Sequence, residues 1–133
     1  MPRDEAIKRL RPYAVVLGAA FAFGPASLSP THAADAFRML KGPAIRSGLS
    51  GMEVTDDVHW AYVFGRDGTL TIYSMGRKSA GRWNVRQDQL CIDARPDKPR
   101  CYAVWRAGKT LQLRQPEFDI YDEGILQRPS TRN

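Results

Sequence analysis

From Met52 onward the chain alternates apolar and polar residues with a period of two. Trp60, Tyr62 and Phe64 share one face of such a run, and residues 65–68, Gly-Arg-Asp-Gly, supply a turn after it. Later runs repeat the pattern around Leu70, Trp83, Leu90, Tyr102, Leu111 and, with more acidic residues, residues 120–126. Short strands at this regular spacing predict a mainly β fold, an antiparallel meander or small barrel of about six to eight strands.

Ahead of the alternating region, apolar residues recur at helical intervals instead. Residues 34–40 and 44–49 fit this period, and Pro43 suits the first turn of a helix, where its missing N–H costs nothing. We therefore expect one or two short N-terminal helices. The single predicted domain, residues 34–133, consists of a helical segment, a sheet and a loose tail at residues 34–51, 52–127 and 128–133.

The first 33 residues have the pattern of a secretory signal peptide. A charged start precedes an apolar stretch at residues 13–23, and Thr31-His32-Ala33 offers a cleavage site. The apolar stretch is shorter than the roughly 20 residues that a transmembrane helix needs. We predict cleavage after Ala33 and a mature chain without a transmembrane anchor, located in the periplasm or secreted.

Charge gives little indication of a partner. The predicted mature chain holds sixteen Lys and Arg against twelve Asp and Glu, an excess too mild to indicate nucleic acid. The bases concentrate in residues 66–114, whereas Glu117, Asp119, Asp122 and Glu123 form an acidic stretch. The simplest expectation is that the two regions neutralise each other within the domain.

Two cysteines remain in the predicted mature chain, and an even pair in an oxidising compartment favours a disulfide. Cys91 and Cys101 lie in two β-like runs joined by a segment with two prolines and several charges, residues 95–100. A hairpin that places these cysteines opposite each other satisfies disulfide geometry. A redox-active pair normally has two intervening residues rather than nine, so we predict a structural bridge.

The hairpin register also predicts a candidate binding surface. It places Trp105 on the outer face with both cysteines, opposite Tyr102 and Val104. Basic residues alternate outward on neighbouring strands, and Trp105 with Arg82, Arg86 and Arg114 is the candidate surface. An ordinary solvated face is the alternative. The inward aromatic residues are expected to fill the core rather than line a ligand cavity.

Candidate catalytic groups are scarce. His59 is the one histidine of the predicted mature chain, beside Asp56 and Asp57, and zinc sites need three or four ligands. We interpret His59 as a polar strand residue. Residues 72–76 resemble a nucleophile elbow around Ser74, but Ile72 replaces the first required glycine. We predict no catalytic residues, no metal and no cofactor.

Several motifs together resemble a known family. These are Leu-Lys-Gly-Pro-Ala-Ile at 40–45, Phe-Gly-Arg-Asp-Gly-Thr at 64–69, Gly-Arg-Trp-Asn-Val at 81–85 and Cys-Tyr-Ala-Val-Trp at 101–105. In this order they are similar to a family of short exported proteins from proteobacteria with a Gly-x-Trp strand and a two-cysteine hairpin. Its function is uncharacterised. The resemblance implies export, the disulfide and one β-rich unit, and it implies no active site.

The function class that these observations favour is a non-enzymatic module of the cell envelope that binds a small ligand or an envelope protein. Two alternatives stay open: a secreted enzyme of another type, and an inhibitor of an envelope hydrolase that presents a loop on a rigid scaffold. An enzyme would require His59, an acid and a hydroxyl to converge in a cleft without water. A binding module would require an open apolar cavity or an exposed aromatic patch.

Export makes a direct prediction about mass. Intact-mass spectrometry of protein recovered from the periplasm should show Ala34 as the first residue, because signal peptidase reads the small residues before it. Full-length protein confined to the cytosol would contradict the signal-peptide interpretation.

Overall fold

A computed structural model of the chain describes residues 36–132, together with residues 18, 19 and 24. The predicted cleavage site and nearly all of the predicted signal peptide lie outside these described residues. Contacts divide the chain into two units, Met1–Thr31 and His32–Asn133, and the fold below is that of the second unit. Among the described residues, no helix is long and apolar enough to cross a membrane.

One helix and nine strands make up the described part of the second unit. In chain order they are β1 (Arg38–Met39), α1 (Gly42–Leu49), β2 (Glu53–Thr55), β3 (Trp60–Phe64), β4 (Thr69–Ser74), β5 (Arg77–Arg86), β6 (Gln89–Asp93), β7 (Arg100–Ala107), β8 (Thr110–Arg114) and β9 (Tyr121–Gln127). The predicted turn at residues 65–68 separates β3 from β4. Strand β5 already begins at Arg77, so residues 77–81 belong to a long hairpin rather than to a loop.

Strands β2 to β9 form a closed antiparallel barrel. Each strand pairs with its neighbour in the chain, and β2 also pairs with β9, with Glu53 opposite Gln127 and Val54 opposite Leu126. The eight-stranded barrel confirms the predicted fold class at the upper end of its strand range. Closure gives every one of these strands an inner and an outer face, so inward and outward residues alternate along each strand.

The cysteine hairpin has the predicted register. Cys91 of β6 lies directly opposite Cys101 of β7, and the two form a disulfide. Both side chains belong to the outer face, because Leu90 and Tyr102, which pair beside them, pack in the core. The predicted disulfide is therefore confirmed, and it lies outside the main core.

The predicted helix at residues 34–40 is wrong for the residues that the structure describes. Arg38 and Met39 form strand β1, which pairs with Arg106 and Trp105 of β7. Strand β6 does not extend far enough along β7 to pair with Trp105 and Arg106, so the backbone groups of these two residues need other partners. Strand β1 supplies them, and the N–H of Leu40 also donates to the carbonyl of Val104 at 2.8 Å.

The predicted second helix is present as α1, and its apolar side packs into the barrel core. Ile45 and Leu49 are completely or almost completely buried there. The helix begins with Gly42 and Pro43, as expected for a proline in the first turn. Since α1 leads directly into β2, it covers the end of the barrel at which β2 starts.

Aromatic side chains continue the core along β3 and β5. The rings of Trp60, Tyr62, Phe64 and Trp83 follow one another with centroid distances of 5.0, 6.4 and 5.4 Å. Burial, with Tyr102 and Asp122 acting in the same direction, raises the pKa of Tyr62 to about 12. A tyrosine that keeps its proton in this way is typical of a packed apolar interior.

Gly124 allows β9 to complete the barrel. A Cβ at this inward position would lie 2.8 Å from the Trp60 ring and 3.0 Å from the carbonyl oxygen of Thr55. Gly124 interrupts the alternating pattern of residues 120–126 because the Trp60 ring leaves no room for a side chain at this position.

The disulfide should stabilise the barrel without determining its fold. Replacing Cys91 and Cys101 with Ala should lower the free energy of unfolding by about 2 to 4 kcal/mol, because the short loop restrains mainly the unfolded chain. Urea unfolding followed by circular dichroism measures the change, and non-reducing peptide mapping should recover the two linked peptides. Free thiols in protein isolated without reductant would contradict the bridge.

Candidate functional site

The structure divides the predicted binding surface into two pairs of residues. All four side chains alternate outward, as the register predicted, but only Trp105 and Arg114 meet: the guanidinium carbon of Arg114 lies 4.2 Å from the centre of the Trp105 ring. Arg82 and Arg86 lie on β5, which is separated from β7 by β6 and its disulfide. Trp105 is half-buried, so it remains available as part of a surface.

Hydrogen bonds fix the position of Arg114 over Trp105. Its Nε donates to Oε1 of Gln112 at 2.9 Å, and Nε2 of Gln112 donates to Oε2 of Glu123 at 2.7 Å. Tyr121, directly opposite Arg114 on β9, places its ring 5.7 Å from the same guanidinium. The result is an arginine held between two aromatic rings on the outside of the barrel.

Apolar residues that the sequence interpretation did not include extend this surface. Met39 pairs with Trp105, and both Met39 and Ile125 of β9 are exposed. We call Met39, Trp105, Tyr121 and Ile125 the outer apolar wall. Alternation along residues 121–127 was the signal that could have identified Tyr121 and Ile125, whereas Met39 lay in a segment assigned to a helix.

The acidic stretch is not neutralised in the way that was expected. Within the described part of the chain, ion pairs shorter than 4 Å join Lys41 to Asp88 and Arg132 to Glu53, His59 contacts Asp56, and none of these contacts involves the acidic stretch. All four of its residues are exposed, but they do not share one face: Glu123 lies on the outer face of β9, whereas Asp122 alternates to the inner face, opposite Leu113. Among the described residues, the basic region and the acidic stretch therefore form no ion pairs with each other.

A second candidate site is a groove of about 610 Å³ around Tyr73 of β4. Residues of β2, of β3 and of the loop between these strands also line it. Nζ of Lys78 lies 6.0 Å and the guanidinium carbon of Arg132 lies 4.6 Å from the centre of the Tyr73 ring. His59 and Ser74 also line this groove. It is the place where an imidazole, an acid and hydroxyls come closest to the arrangement that an enzyme would need.

The imidazole in that groove belongs to a loop held by Asp56. Oδ1 of Asp56 accepts hydrogen bonds from the N–H groups of Val58, His59 and Trp60, and Oδ2 lies 2.8 Å from Nδ1 of His59. Burial acts to raise the pKa of Asp56, but these hydrogen bonds outweigh it and hold the pKa well below its usual value. The carboxylate therefore serves as the acceptor that shapes the loop.

His59 itself lies in the bend before β3 rather than within a strand, which corrects the sequence interpretation. Its side chain is 64% exposed, so water surrounds the imidazole. Among the described residues, no three His, Cys, Asp or Glu side chains are grouped closely enough to hold a metal ion.

Arg132, which lines this groove, binds a buried carboxylate, that of Glu53 on the outer face of β2. The Glu53 side chain has no exposed surface. Gln127 donates to Oε1 at 3.0 Å, Ser130 donates through its hydroxyl at 3.2 Å, and Arg132 donates to both carboxylate oxygens. Residues 128–132, expected to be a loose tail, thus form a strap across the outside of the barrel. A buried carboxylate requires such donors, and the sequence did not reveal that Glu53 is buried.

The strap also determines the protonation of Glu53. Burial alone would raise the pKa of this carboxyl, but hydrogen bonds from Arg132, Gln127 and Ser130, together with the charge of Arg132, lower it below its usual value. A carboxyl with a lowered pKa in the folded state stabilises the fold above its unfolded pKa. That contribution is lost as the pH falls through the folded pKa.

Removal of the strap's cation should therefore have a pH-dependent cost. Arg132→Ala should lower the free energy of unfolding by about 3 kcal/mol at neutral pH, because it leaves Glu53 charged and buried without its cation. As the pH falls, the difference from wild type should shrink, because Glu53 takes up a proton first in the variant, which has lost the cation that lowers its pKa, and only at lower pH in wild type. Urea unfolding at several pH values measures both effects.

Arg128→Ala is the matched control, since Arg128 is an exposed arginine of the same strap. Its free energy of unfolding should stay within about 0.5 kcal/mol of wild type. Equal losses in the two variants, or a loss in Arg132→Ala that does not change with pH, would contradict the role of the Glu53–Arg132 pair.

Comparison with known proteins adds no assignment to this geometry. No protein-family model, curated protein or solved structure matches the chain.

Proposed function

We propose that the protein is an exported, non-enzymatic binding module of the cell envelope, and that it recognises a protein partner through the outer apolar wall. The observation that carries this proposal is the Arg114 guanidinium held between Trp105 and Tyr121. Tryptophan, tyrosine and arginine supply most of the binding energy at protein interfaces. Here they are already ordered before a partner arrives, which lowers the entropic cost of binding.

The distribution of apolar residues favours the outside of the barrel over its inside. The inner faces are occupied by packed aliphatic and aromatic side chains, including those of α1. On the outside, Met39 exposes apolar surface directly opposite Trp105, and Ile125 exposes apolar surface on the same face of β9 as Tyr121. Clustered exposed apolar residues of this kind mark interaction sites, whereas scattered ones do not.

Export is part of the proposal because the sequence and the disulfide support it together. Residues 1–33 have the signal-peptide pattern, and disulfides persist in oxidising compartments such as the periplasm. The resemblance to short exported proteins of proteobacteria supports the same location.

Catalysis is less well supported by the geometry of the groove around Tyr73. Asp56 binds three backbone N–H groups as well as His59, and the imidazole is largely exposed to water. A general base works best when it is positioned against a bound substrate with water excluded. Inhibition of an envelope hydrolase would be one form of the protein recognition that we propose.

Site-specific photo-crosslinking in the native host tests the proposed surface. A photoreactive phenylalanine analogue at Ile125 should give a discrete crosslinked adduct with a partner protein, because Ile125 lies in the outer apolar wall. The same analogue at Val58, an even more exposed apolar residue of the groove around Tyr73, is the matched control. It should give no adduct.

The adduct at position 125 should also depend on the ordered aromatic residues. Trp105→Ala should reduce its yield about tenfold, a typical effect for an interface anchor, while the melting temperature changes little. Equal yields from positions 125 and 58, or an unchanged yield in Trp105→Ala, would show that the outer apolar wall is not the recognition surface.

A further inference from the structure

The loop between β8 and β9, residues 115–120, extends the outer apolar wall with unusually exposed hydrophobic side chains. Phe118 is 59% exposed, Ile120 is 68% exposed and Tyr121, at the start of β9, is 50% exposed. Single exposed apolar residues are normal on protein surfaces, but three within four positions form a local concentration. Loops on a rigid scaffold are also where binding residues concentrate.

The barrel holds both ends of this loop firmly. Arg114 and Tyr121 are directly paired at its base, and the N–H of Phe118 donates to the carbonyl of Gln115 at 3.1 Å to form a turn within it. A groove of about 410 Å³ lies between the loop and the disulfide hairpin, with Pro116 and Phe118 on one side and Pro99 on the other. Arg100 and Glu117 also line it. The loop thus presents an apolar edge beside a concave surface.

Charge identifies what this surface can attract. Glu117 and Asp119 are exposed within the loop and flank Phe118, neither forms an ion pair with another described residue, and the sequence from 115 to 127 contains no Lys or Arg. The chain as a whole is basic, so its overall field attracts anions. A cationic partner would therefore be drawn specifically to this acidic and apolar region.

We infer that the β8–β9 loop, together with Tyr121, docks a cationic amphipathic polypeptide segment, whose apolar side contacts Phe118 and Ile120 and whose Lys or Arg residues pair with the flanking carboxylates. This inference rests on the proposed protein-binding function and names the chemistry of the partner. Nucleic acid and anionic membrane surfaces carry the same sign of charge as the loop, so the carboxylates repel them.

Fluorescence anisotropy with two synthetic peptides tests the inference on the purified protein. The first probe is a labelled amphipathic helix of Lys and Leu, and the second has Glu in place of every Lys. The Lys/Leu peptide should bind at least about tenfold more tightly than the Glu/Leu peptide, because only the former complements the carboxylates. Higher salt should weaken its binding, since the carboxylates are exposed to solvent.

Two variants with matched controls locate the binding. Phe118→Ser combined with Ile120→Ser should weaken Lys/Leu binding about tenfold, whereas Val58→Ser combined with Met75→Ser should leave it within about twofold. Val58 and Met75 are at least as exposed and lie away from the loop. Asp119→Asn should weaken binding about threefold, and Asp97→Asn, which changes an exposed acid in the β6–β7 loop, should not. Unchanged circular dichroism in all variants keeps these comparisons independent of folding.

Three results would overturn the inference: equal affinity for both peptides, equal affinity of the loop variants and their controls, or binding of neutral phosphatidylcholine vesicles through Phe118 and Ile120 in place of the Lys/Leu peptide. Its failure is distinguishable from failure of the proposed function. If the crosslink at Ile125 persists but the Lys/Leu peptide does not bind, only the inference of a cationic amphipathic partner fails. If both are absent, the proposed binding function fails as well.

Discussion

The pairing of β2 with β9 is the contact on which the rest of the barrel depends. It joins one of the first strands to the last, so its closure entropy is among the largest in the fold, yet β2 is only three residues long. Val54 and Leu126 bury this seam from the inside. From the outside it is stabilised by Glu53, whose buried carboxylate binds Gln127 beside it and Arg132 from the strap. The seam therefore links barrel closure to an ion pair.

Closure separates the two faces of every strand, and this separation determines where recognition can occur. The inner faces, together with α1, form one packed core. The network of Gln112, Arg114 and Glu123 and the rings of Trp105 and Tyr121 lie on the outer faces, where the strands that carry them hold them in place. Arg114 illustrates the effect: strand pairing brings it between two aromatic rings, and Gln112 fixes it there. A surface ordered in this way binds with little loss of conformational entropy.

Local patterns in the sequence were sufficient for those features that depend on neighbouring strands. The turn at residues 65–68 and the register of Cys91 with Cys101 follow from alternation and a short connection, because adjacent antiparallel strands pair wherever a tight turn joins them. The same alternation placed Trp105 on the outer face. The helix at residues 44–49 also follows from a local pattern, since its apolar residues recur at helical intervals.

The sequence by itself therefore determined the barrel strands, their faces and the disulfide hairpin, since each depends on residues close together in the chain. Only the tertiary structure decided which distant segments meet. It placed Met39 in a strand beside β7, buried Glu53 under Arg132, and grouped Trp105 with Arg114 and Tyr121 rather than with the arginines of β5. The alternation of apolar and polar residues predicts which face of the sheet a side chain takes. Its neighbours on that face depend on how the barrel closes and on which backbone groups still need hydrogen-bond partners.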